Sequence, residues 1–300
     1  MSMNPRVSIT AIVLTYNEEP NIGACLESLA EWVGDLFVVD SRSTDATRSI
    51  AERHGAHVVE HPFESHARQW SWALEHLPIR HEWVLGLDAD QCVTPELKAE
   101  ILGLFGDGGA SLDGIDGLYV NRRQIFRGRW IRHGGYYPKY LLKLFRAGRV
   151  QIDEHDLIDH HFYVAGPTRQ LKHDLVEDNV READIAFWLG KHIRYAALQA
   201  RVEAFRQGWG PLTPTLHGNP DQRTARMKQV WERLPLYLRP ILYFCYRYFV
   251  RLGFLDGKQG FLFHFLQGFW YRLLVDIYLD ELRRHGTSVA VREPLSARQP

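Results

Sequence analysis

The sequence lacks a cysteine pattern, a long hydrophobic run and an excess of charge of either sign. Cys25, Cys92 and Cys245 are odd in number and widely spaced, so they predict neither a disulfide framework nor a metal-binding motif and are typical of reduced thiols in a cytoplasmic protein. Lys and Arg total 36, as do Asp and Glu, and this balance argues against a general nucleic-acid binder. No apolar stretch reaches the roughly 20 residues of a membrane-spanning helix. Residues 1–6 lead straight into a predicted strand, so we expect no signal peptide.

Short apolar runs alternate with helical patterns over residues 7–105. A chain of 300 residues provides one large domain or two smaller ones, and its composition is typical of a globular protein. Strands that alternate with helices imply right-handed crossovers and a parallel sheet. The sequence therefore predicts an α/β fold, whose first four strands cover residues 7–14, 35–39, 57–60 and 83–87.

Acidic residues stand where two of these strands end. Asp88 and Asp90 follow the fourth predicted strand, and Asp40 follows the second. Open α/β sheets bind ligands beyond the carboxyl ends of their strands, so Asp40 and Asp88 can face one crevice although they are far apart in sequence. Such carboxylates suit a hard divalent cation whose coordination is completed by substrate phosphates. One Asp-x-Asp sequence alone is common in solvated loops, and the prediction of a nucleotide site depends on its convergence with the polar turn Thr15–Glu18, where Asn17 would cap the next helix.

Three motifs together resemble glycosyltransferase family 2. They are Thr-Tyr-Asn-Glu at 15–18, Val-Val-Asp-Ser-x-Ser-Thr-Asp at 38–45 and Leu-Asp-Ala-Asp at 87–90. Members are inverting, metal-dependent enzymes with a GT-A fold, a Rossmann-like and mostly parallel sheet flanked by helices. The resemblance implies a nucleotide-sugar donor, which we expect to be UDP-linked, and Mg²⁺ or Mn²⁺ as cofactor. Arg42 stands where the family often has glycine, and a side chain is tolerable there if the turn keeps a negative φ.

The resemblance also implies roles for individual residues near the donor. The Thr15–Glu18 turn contacts the nucleotide, and Asp40 hydrogen-bonds the base. Asp88 lies against the ribose and diphosphate, and Asp90 ligates the metal beside it. Arg68, at the start of the third predicted helix, could pair with phosphate or base because a planar guanidinium suits either; an exposed helix arginine is the alternative. The nucleotide-binding set is thus Thr15, Tyr16, Asn17, Glu18, Asp40, Arg68 and Asp88, and the metal set is Asp90 and Asp88.

A glycine-containing loop at 126–138 interleaves basic and aromatic side chains between two predicted strands. Arginines form forked hydrogen bonds to phosphate, and aromatic faces stack on sugar rings. The pattern Arg-Trp-Ile-Arg-His-Gly-Gly at 129–135 resembles the subgroup that includes bacterial lipopolysaccharide-core glucosyltransferases. That resemblance implies an acceptor site, and a positively charged structural loop is the alternative. The predicted acceptor-binding residues are Arg129, Trp130, Arg132 and His133.

Sugar transfer with inversion needs a base that takes the proton of the acceptor hydroxyl. The subgroup often carries a Val-His-Glu segment where this chain has Ile158-Asp159-His160, so the usual glutamate position holds histidine and the base stays open. A second candidate pair, Glu177-Asp178, resembles the Glu-Asp pair that many family members use. The candidates are therefore Asp159, His160, Glu177 and Asp178, and Asp178 is preferred.

Residues 234–282 are rich in Leu, Phe, Tyr and Trp, with arginine and lysine at helical distances and few acidic residues before Asp276. This composition is typical of an amphipathic helical extension in the interface of an anionic membrane. A helical pair packed on the catalytic domain is the alternative. Because Gly and Pro at 208–220 predict a linker, we expect a nucleotide-sugar-binding half, an acceptor-binding half and a membrane-associating segment at 1–105, 106–207 and 221–300.

These observations predict a glycosyltransferase that moves a sugar to a lipid-linked saccharide acceptor, such as a lipopolysaccharide core. We expect it to be peripheral on the cytoplasmic face of a bacterial inner membrane, with no nucleic-acid partner. A nucleotidyltransferase shares the architecture, but it normally has a glycine-rich phosphate loop after the first strand, and residues 15–19 contain no glycine. A catalytically inactive, membrane-bound scaffold with the same fold is the other alternative.

Overall fold

The computed structural model describes residues 6–106, 108–153, 161–206, 208–209 and 211–285. These residues divide into two compact units. The first contains the described residues up to 123 together with 139–153 and 161–180, and the second contains 124–138 and the described residues from 181 onward. The units cut across the three segments that the sequence predicts, and those segments stay a prediction of domain organisation.

Four parallel strands form the first half of the sheet in the first unit. They are β1 (Val7–Thr15), β2 (Val33–Asp40), β3 (His57–Glu60) and β4 (Trp83–Asp88). Their order is β3-β2-β1-β4, and all three pairings are parallel. β1 is buried from Ile9 to Thr15, as expected of a central parallel strand with both faces covered. The predicted α/β fold class is thereby confirmed, with each predicted strand in place.

Antiparallel strands extend the sheet beyond β4. The remaining strands are β5 (Gln91–Val93), β6 (Gly117–Phe126), β7 (Arg129–Trp130), β8 (Tyr140–Arg146), β9 (Val150–Ile152), β10 (Phe162–Val164) and β11 (Thr168–Glu177). The sheet continues in the order β8-β6-β11-β5, and the far end of β6 forms a hairpin with β7. Pairing of β11 with β5 sets Glu177 opposite Gln91, one residue beyond Asp90. The end of β11 therefore lies beside the Asp-x-Asp sequence.

Helices α1 (Ile22–Glu27), α2 (Thr47–Arg53), α3 (His66–His76) and α4 (Pro95–Phe105) cover the sheet. Alternate residues of β1 point to opposite faces, so Ile9 and Val13 belong to one apolar core cluster and Ile12 belongs to another, with Trp70 and Ala73 of α3. The two cores hold the carboxyl ends of β1, β2 and β4 in fixed register.

Gly86 of β4 is required by the core on the α3 side. A Cβ at this position would lie 2.8 Å from the ring of Phe162 and 3.0 Å from that of Trp70. We expect Gly86→Ala to lower the free energy of unfolding by about 1–3 kcal/mol, the usual cost of overpacking, as measured by denaturant unfolding. Gly103→Ala is the control, because a Cβ there contacts nothing within 4 Å and should stabilise α4 by about 1 kcal/mol. Equal stability of Gly86→Ala and the natural protein would contradict the described packing.

The second unit is helical apart from the β6–β7 hairpin. Its helices are α5 (Ile185–Phe205), α6 (Pro220–Glu232), α7 (Leu238–Cys245), α8 (Gly257–Phe263) and α9 (Tyr271–His285). α5 packs on α9 through Ala196, Ala200, Val275 and Leu279. Within the described ranges, no helix has both the length and the apolarity that crossing a bilayer requires.

The basic residues of the C-terminal segment do not all lie on its surface. Arg239 is only 1% exposed, and it donates hydrogen bonds to Asp276 at 2.7 Å and to Glu203 at 2.8 Å. Arg233 and Lys258 are exposed, as a membrane-facing arrangement would require. Part of the positive charge that the sequence pattern assigns to one solvated face is therefore internal to the helical unit.

Candidate active site

The turns that follow β1 and β2 are joined by direct hydrogen bonds. The Asn17 N–H donates to Ser43 Oγ at 2.8 Å, and the Thr44 N–H donates to Asn17 Oδ1 at 2.8 Å. Asn17 has a left-handed backbone with φ of 51°, which asparagine tolerates better than most residues. The expectation that Asn17 caps α1 is wrong, since Asn21 is the residue that precedes this helix. Asn17 instead fixes the loop after β2.

Asp40 is fully buried at the end of β2. Its carboxylate accepts hydrogen bonds from the Ser43 N–H at 2.8 Å and from Ser43 Oγ–H at 2.5 Å. Ser43 therefore orients both oxygens of the predicted base-binding residue. The expected negative φ at Arg42 is wrong, because its φ is +65°, a region in which a side chain has a steric cost of about 1–2 kcal/mol. The cost explains why glycine suits this position.

Asp88 and Asp90 are both partly buried at the end of β4. Asp88 Oδ2 accepts a hydrogen bond from Lys143 Nζ at 3.2 Å, and Lys143 is only 4% exposed on β8. Asp90 Oδ2 accepts a hydrogen bond from Asn179 Nδ2 at 3.1 Å. Sequence reasoning missed Lys143, although a single lysine inside an apolar strand that pairs with β4 is a usable signal.

Asn21 connects the turn after β1 to the segment after β11. Its Nδ2 donates to Glu18 at 2.5 Å and to Asn179 Oδ1 at 3.3 Å, while its Oδ1 accepts from the Val180 N–H at 3.0 Å. The Asp178 N–H in turn donates to the carbonyl oxygen of Asp90 at 3.0 Å. These bonds gather three predicted site residues, which are Glu18, Asp90 and Asp178.

Glu177 and Asp178 differ sharply in their surroundings. Glu177 accepts hydrogen bonds from Arg122 Nη1 at 2.9 and 3.1 Å and from Gln91 Nε2 at 2.7 Å, and its side chain is 16% exposed. The carboxylate of Asp178 is exposed and accepts no hydrogen bond from any described residue. Partial burial raises the pKa of Asp178 above its usual value, which makes it a stronger base. Of the two, Glu177 has its carboxylate occupied by described side chains and Asp178 does not, and the role of Asp178 as base stays a prediction.

The other predicted nucleotide-site residues take varied positions. Thr15 is 5% exposed at the end of β1, and Tyr16 is half-buried beside it. Arg68 is exposed near the start of α3 and forms an ion pair with Glu64 one turn earlier. That placement matches the exposed helix arginine, and a role at the nucleotide stays a prediction.

The predicted acceptor-binding residues belong to the second unit. Arg129 and Arg132 are exposed, and the Arg132 guanidinium lies 5.3 Å from the Trp130 ring centroid. His133 is held by Asp256, which accepts hydrogen bonds from the His133 N–H at 2.8 Å and from its imidazole at 2.7 Å. His133 therefore ties the loop to the helices. The base candidates Asp159 and His160 lie outside the described residues.

The carboxylate oxygens at the end of β4 suit a hard cation. Asp88 and Asp90 offer carboxylate oxygens, the ligands that Mg²⁺ and Mn²⁺ prefer. The residues described here contain no group of three or more His, Cys, Asp or Glu side chains that could hold a metal ion by themselves. Two carboxylates with the rest of the coordination left to substrate phosphates is the arrangement common at nucleotide sites.

Comparison with known proteins identifies the family. A family model described as glycosyl transferase family 2 matches residues 10–166. The chain belongs to glycosyltransferase family 2. Membership confirms the resemblance inferred from the three motifs, and it agrees with the GT-A fold class that the sheet order and its flanking helices display. The matched range contains every predicted nucleotide-site and metal-site residue.

This chain matches individual relatives over only part of their length. An uncharacterized glycosyltransferase of Rickettsia felis is 39% identical over 97 residues, which is 32% of this chain and 34% of that protein. The lipopolysaccharide core biosynthesis glycosyltransferase LpsC of Rhizobium meliloti is 29% identical over 161 residues, or 50% of this chain and 55% of LpsC. A solved structure of mannosyl-3-phosphoglycerate synthase from Rubrobacter xylanophilus has a TM-score of 0.41 at 16% identity, covering 67% of this chain and 76% of that one.

Proposed function

We propose that this protein of glycosyltransferase family 2 transfers a sugar, with inversion at the anomeric carbon, from a UDP-linked donor to a lipid-linked saccharide. The observation that carries the proposal is the gathering of Glu18, Asp90 and Asp178 around the end of β4. A metal ligand, a nucleotide-binding turn and an available base are the parts that such a transfer needs. The similarity to LpsC supports an acceptor in lipopolysaccharide core biosynthesis.

The donor is bound by the ends of β1, β2 and β4. Asp40, oriented by Ser43, accepts a hydrogen bond from the base, since each carboxylate oxygen has a second lone pair. The turn at 15–18 lies against the nucleotide, and Lys143 beside Asp88 directs positive charge toward the diphosphate. Asp90, with Asp88, would hold Mg²⁺ or Mn²⁺, whose charge stabilises the diphosphate as it leaves.

Asp178 acts as the general base in this proposal. It takes the proton of an acceptor hydroxyl as that oxygen bonds to the anomeric carbon, while the bond from that carbon to the diphosphate oxygen breaks on the opposite face. Its raised pKa and its carboxylate, which no described residue engages, support the assignment. Glu177 holds the segment in place through Arg122 and Gln91 rather than reacting.

The acceptor is bound by the loop of Arg129, Trp130, Arg132 and His133, in which His133 sets the position of the loop. The exposed arginines suit phosphate or carboxylate groups of a core saccharide. Exposed apolar residues of the second unit, among them Ile241, Phe249, Val250 and Phe261, support peripheral binding to the anionic cytoplasmic face of the inner membrane.

Donor hydrolysis tests the proposal most directly. We expect the purified protein to hydrolyse at least one UDP-sugar slowly in Mg²⁺ or Mn²⁺, and to stop when a chelator is added, because water can replace the acceptor. Release of UDP across a panel of nucleotide sugars is the measurement. Turnover of a nucleoside triphosphate with a sugar phosphate instead would favour the nucleotidyltransferase, and no turnover of any nucleotide would favour the inactive scaffold.

A further inference from the structure

Two π-helical segments interrupt the long helices of the second unit. They cover Tyr246–Val250, directly after α7, and His264–Trp270, between α8 and α9. π-turns are rare and are frequent at functional sites. Each of these segments carries one buried polar side chain. Arg247 is 7% exposed and His264 is 0% exposed.

Both side chains have polar atoms without a hydrogen-bond partner. In the described part of the chain, neither Nε nor Nη2 of Arg247 finds an acceptor, and neither ring nitrogen of His264 is engaged. Arg247 donates one hydrogen bond, from Nη1 to Tyr243 Oη at 2.5 Å, and its guanidinium lies 3.8 Å from the ring centroid of Tyr136. Because buried polar groups are nearly always paired, these four atoms are groups that a bound polar ligand can engage.

A second arginine stands beside the same tyrosine. The guanidinium carbon of Arg272 lies 5.8 Å from the Tyr243 ring centroid, and that of Arg247 lies 5.1 Å from it. Arg272 itself is only partly buried. No described residue forms an ion pair or a hydrogen bond with Arg272.

The nearby carboxylates are occupied elsewhere. Glu203 and Asp276 both bind Arg239, and Asp256 binds His133. A buried charge that lacks an ionic partner is strongly unfavourable to stability. Burial and the charge of Arg247 lower the pKa of His264 to about 4. Burial would raise the pKa of Tyr243, but the charges of Arg247 and Arg272 outweigh it and lower that pKa. The contributions of these arginines to the two pKa shifts reflect a positive potential at the cluster.

We propose that Arg247 and Arg272, with Tyr243 and His264, bind the phosphate of a lipid headgroup. Two guanidinium forks match the oxygens of a phosphate ester, and such charge-assisted pairs are strong. The same helices expose apolar side chains that suit acyl or prenyl chains, together with the positive charges of Arg251 and Lys258. Those apolar residues are Leu242, Tyr246, Phe249, Val250, Phe254 and Phe261. The choice of a lipid rests on the proposed function, whereas the phosphate site does not.

Inorganic phosphate tests the site in the full-length protein. We expect phosphate to shift the imidazole resonances of His264 and to raise its pKa in an NMR titration, because a bound anion offsets the charge of Arg247. The resonances are assigned by comparison with His264→Gln. Unchanged His264 resonances at saturating phosphate would overturn the proposal of an anion site.

Vesicles test the lipid source. Flotation with phosphatidylcholine vesicles that contain phosphatidic acid should be weakened at least about tenfold by Arg272→Gln and by Arg247→Gln, the loss expected for one charged hydrogen bond. Arg223→Gln removes the same charge from an exposed position on α6, away from the cluster, and should have little effect. Vesicles in which oleate supplies the same charge should bind the protein weakly. All three substitutions should change that binding to the same extent.

Equal binding of oleate and phosphatidic acid vesicles would overturn the site, since surface charge alone would then explain binding. If phosphate shifts the His264 resonances but the protein does not bind the phosphatidic acid vesicles, the proposal of a lipid as the source of the phosphate is wrong. If Arg247→Gln fails to fold, Arg272→Gln carries the test, because its side chain is only partly buried. UDP-sugar hydrolysis in Arg272→Gln should match that of the natural protein, so failure of the phosphate site and failure of the sugar-transfer proposal give different results.

Discussion

Replacing Asp90 with asparagine should abolish sugar transfer while the protein stays folded. Asparagine has the same shape and can still accept the hydrogen bond that Asn179 donates at 3.1 Å, so the link between β4 and the segment after β11 persists. The negative charge is lost, and a neutral amide is a poor ligand for Mg²⁺ or Mn²⁺. We expect kcat to fall by at least about a hundredfold, the scale of losing one contact that stabilises charge in the transition state.

Release of UDP and thermal unfolding of Asp90→Asn are measured side by side. Unfolding should change by no more than about 1 kcal/mol, because Asp90 is only partly buried. Asp113→Asn is the matched control, since it makes the same change at an exposed position away from the end of β4 and should leave turnover unaltered. Undiminished turnover by Asp90→Asn would remove the metal site from the proposed function.

Asp178→Asn should lower kcat and Glu177→Gln should lower stability, although the two residues are neighbours. Asp178→Asn removes the proposed base, and we expect kcat to fall by about a hundred- to ten-thousandfold. Burial raises the folded-state pKa of Asp178, so folding favours its protonated form. The ionised form is therefore slightly unfavourable to stability at neutral pH, and the asparagine variant should be no less stable than the natural protein.

Glu177→Gln should mainly affect stability. Its carboxylate is bound by Arg122 and Gln91 and is mostly buried, so loss of the charge should lower the free energy of unfolding by about 1–3 kcal/mol. The activity of the folded fraction should be largely retained. If Glu177→Gln loses turnover without loss of stability while Asp178→Asn remains active, the roles are reversed. If neither variant loses turnover, the base is to be sought at Asp159 or His160.

The pH profile gives an independent check on Asp178. A base must be ionised to accept a proton, so kcat should fall as pH decreases through the pKa of Asp178. Because that pKa is raised, the fall should begin at a higher pH than for an ordinary aspartate. The residual activity of Asp178→Asn should not show this fall at low pH. If the variant still shows the fall, another group is responsible for it.

Local sequence patterns were sufficient to predict the parallel sheet, the acidic strand ends and the family of this protein. A parallel sheet follows from apolar runs that alternate with helical periods, and Asp40 and Asp88 could be placed at strand ends because polarity changes abruptly there. The three motifs were sufficient to identify glycosyltransferase family 2. These features depend on residues close together in the chain, so periodicity and spacing reveal them without knowledge of the tertiary fold.

Only the tertiary structure decided which of two neighbouring carboxylates accepts hydrogen bonds from other side chains and which does not. Glu177 and Asp178 are equivalent in a sequence, but Arg122 and Gln91 reach only the first. Asn21 and Asn179 are separated by 158 positions, and no local pattern predicts their contact. Likewise, Arg247 fits a solvated helical stripe in the sequence and is buried in the structure. The physical reason is that hydrogen bonding and burial depend on the partners that strand order and helix packing bring together, and those partners lie far away along the chain.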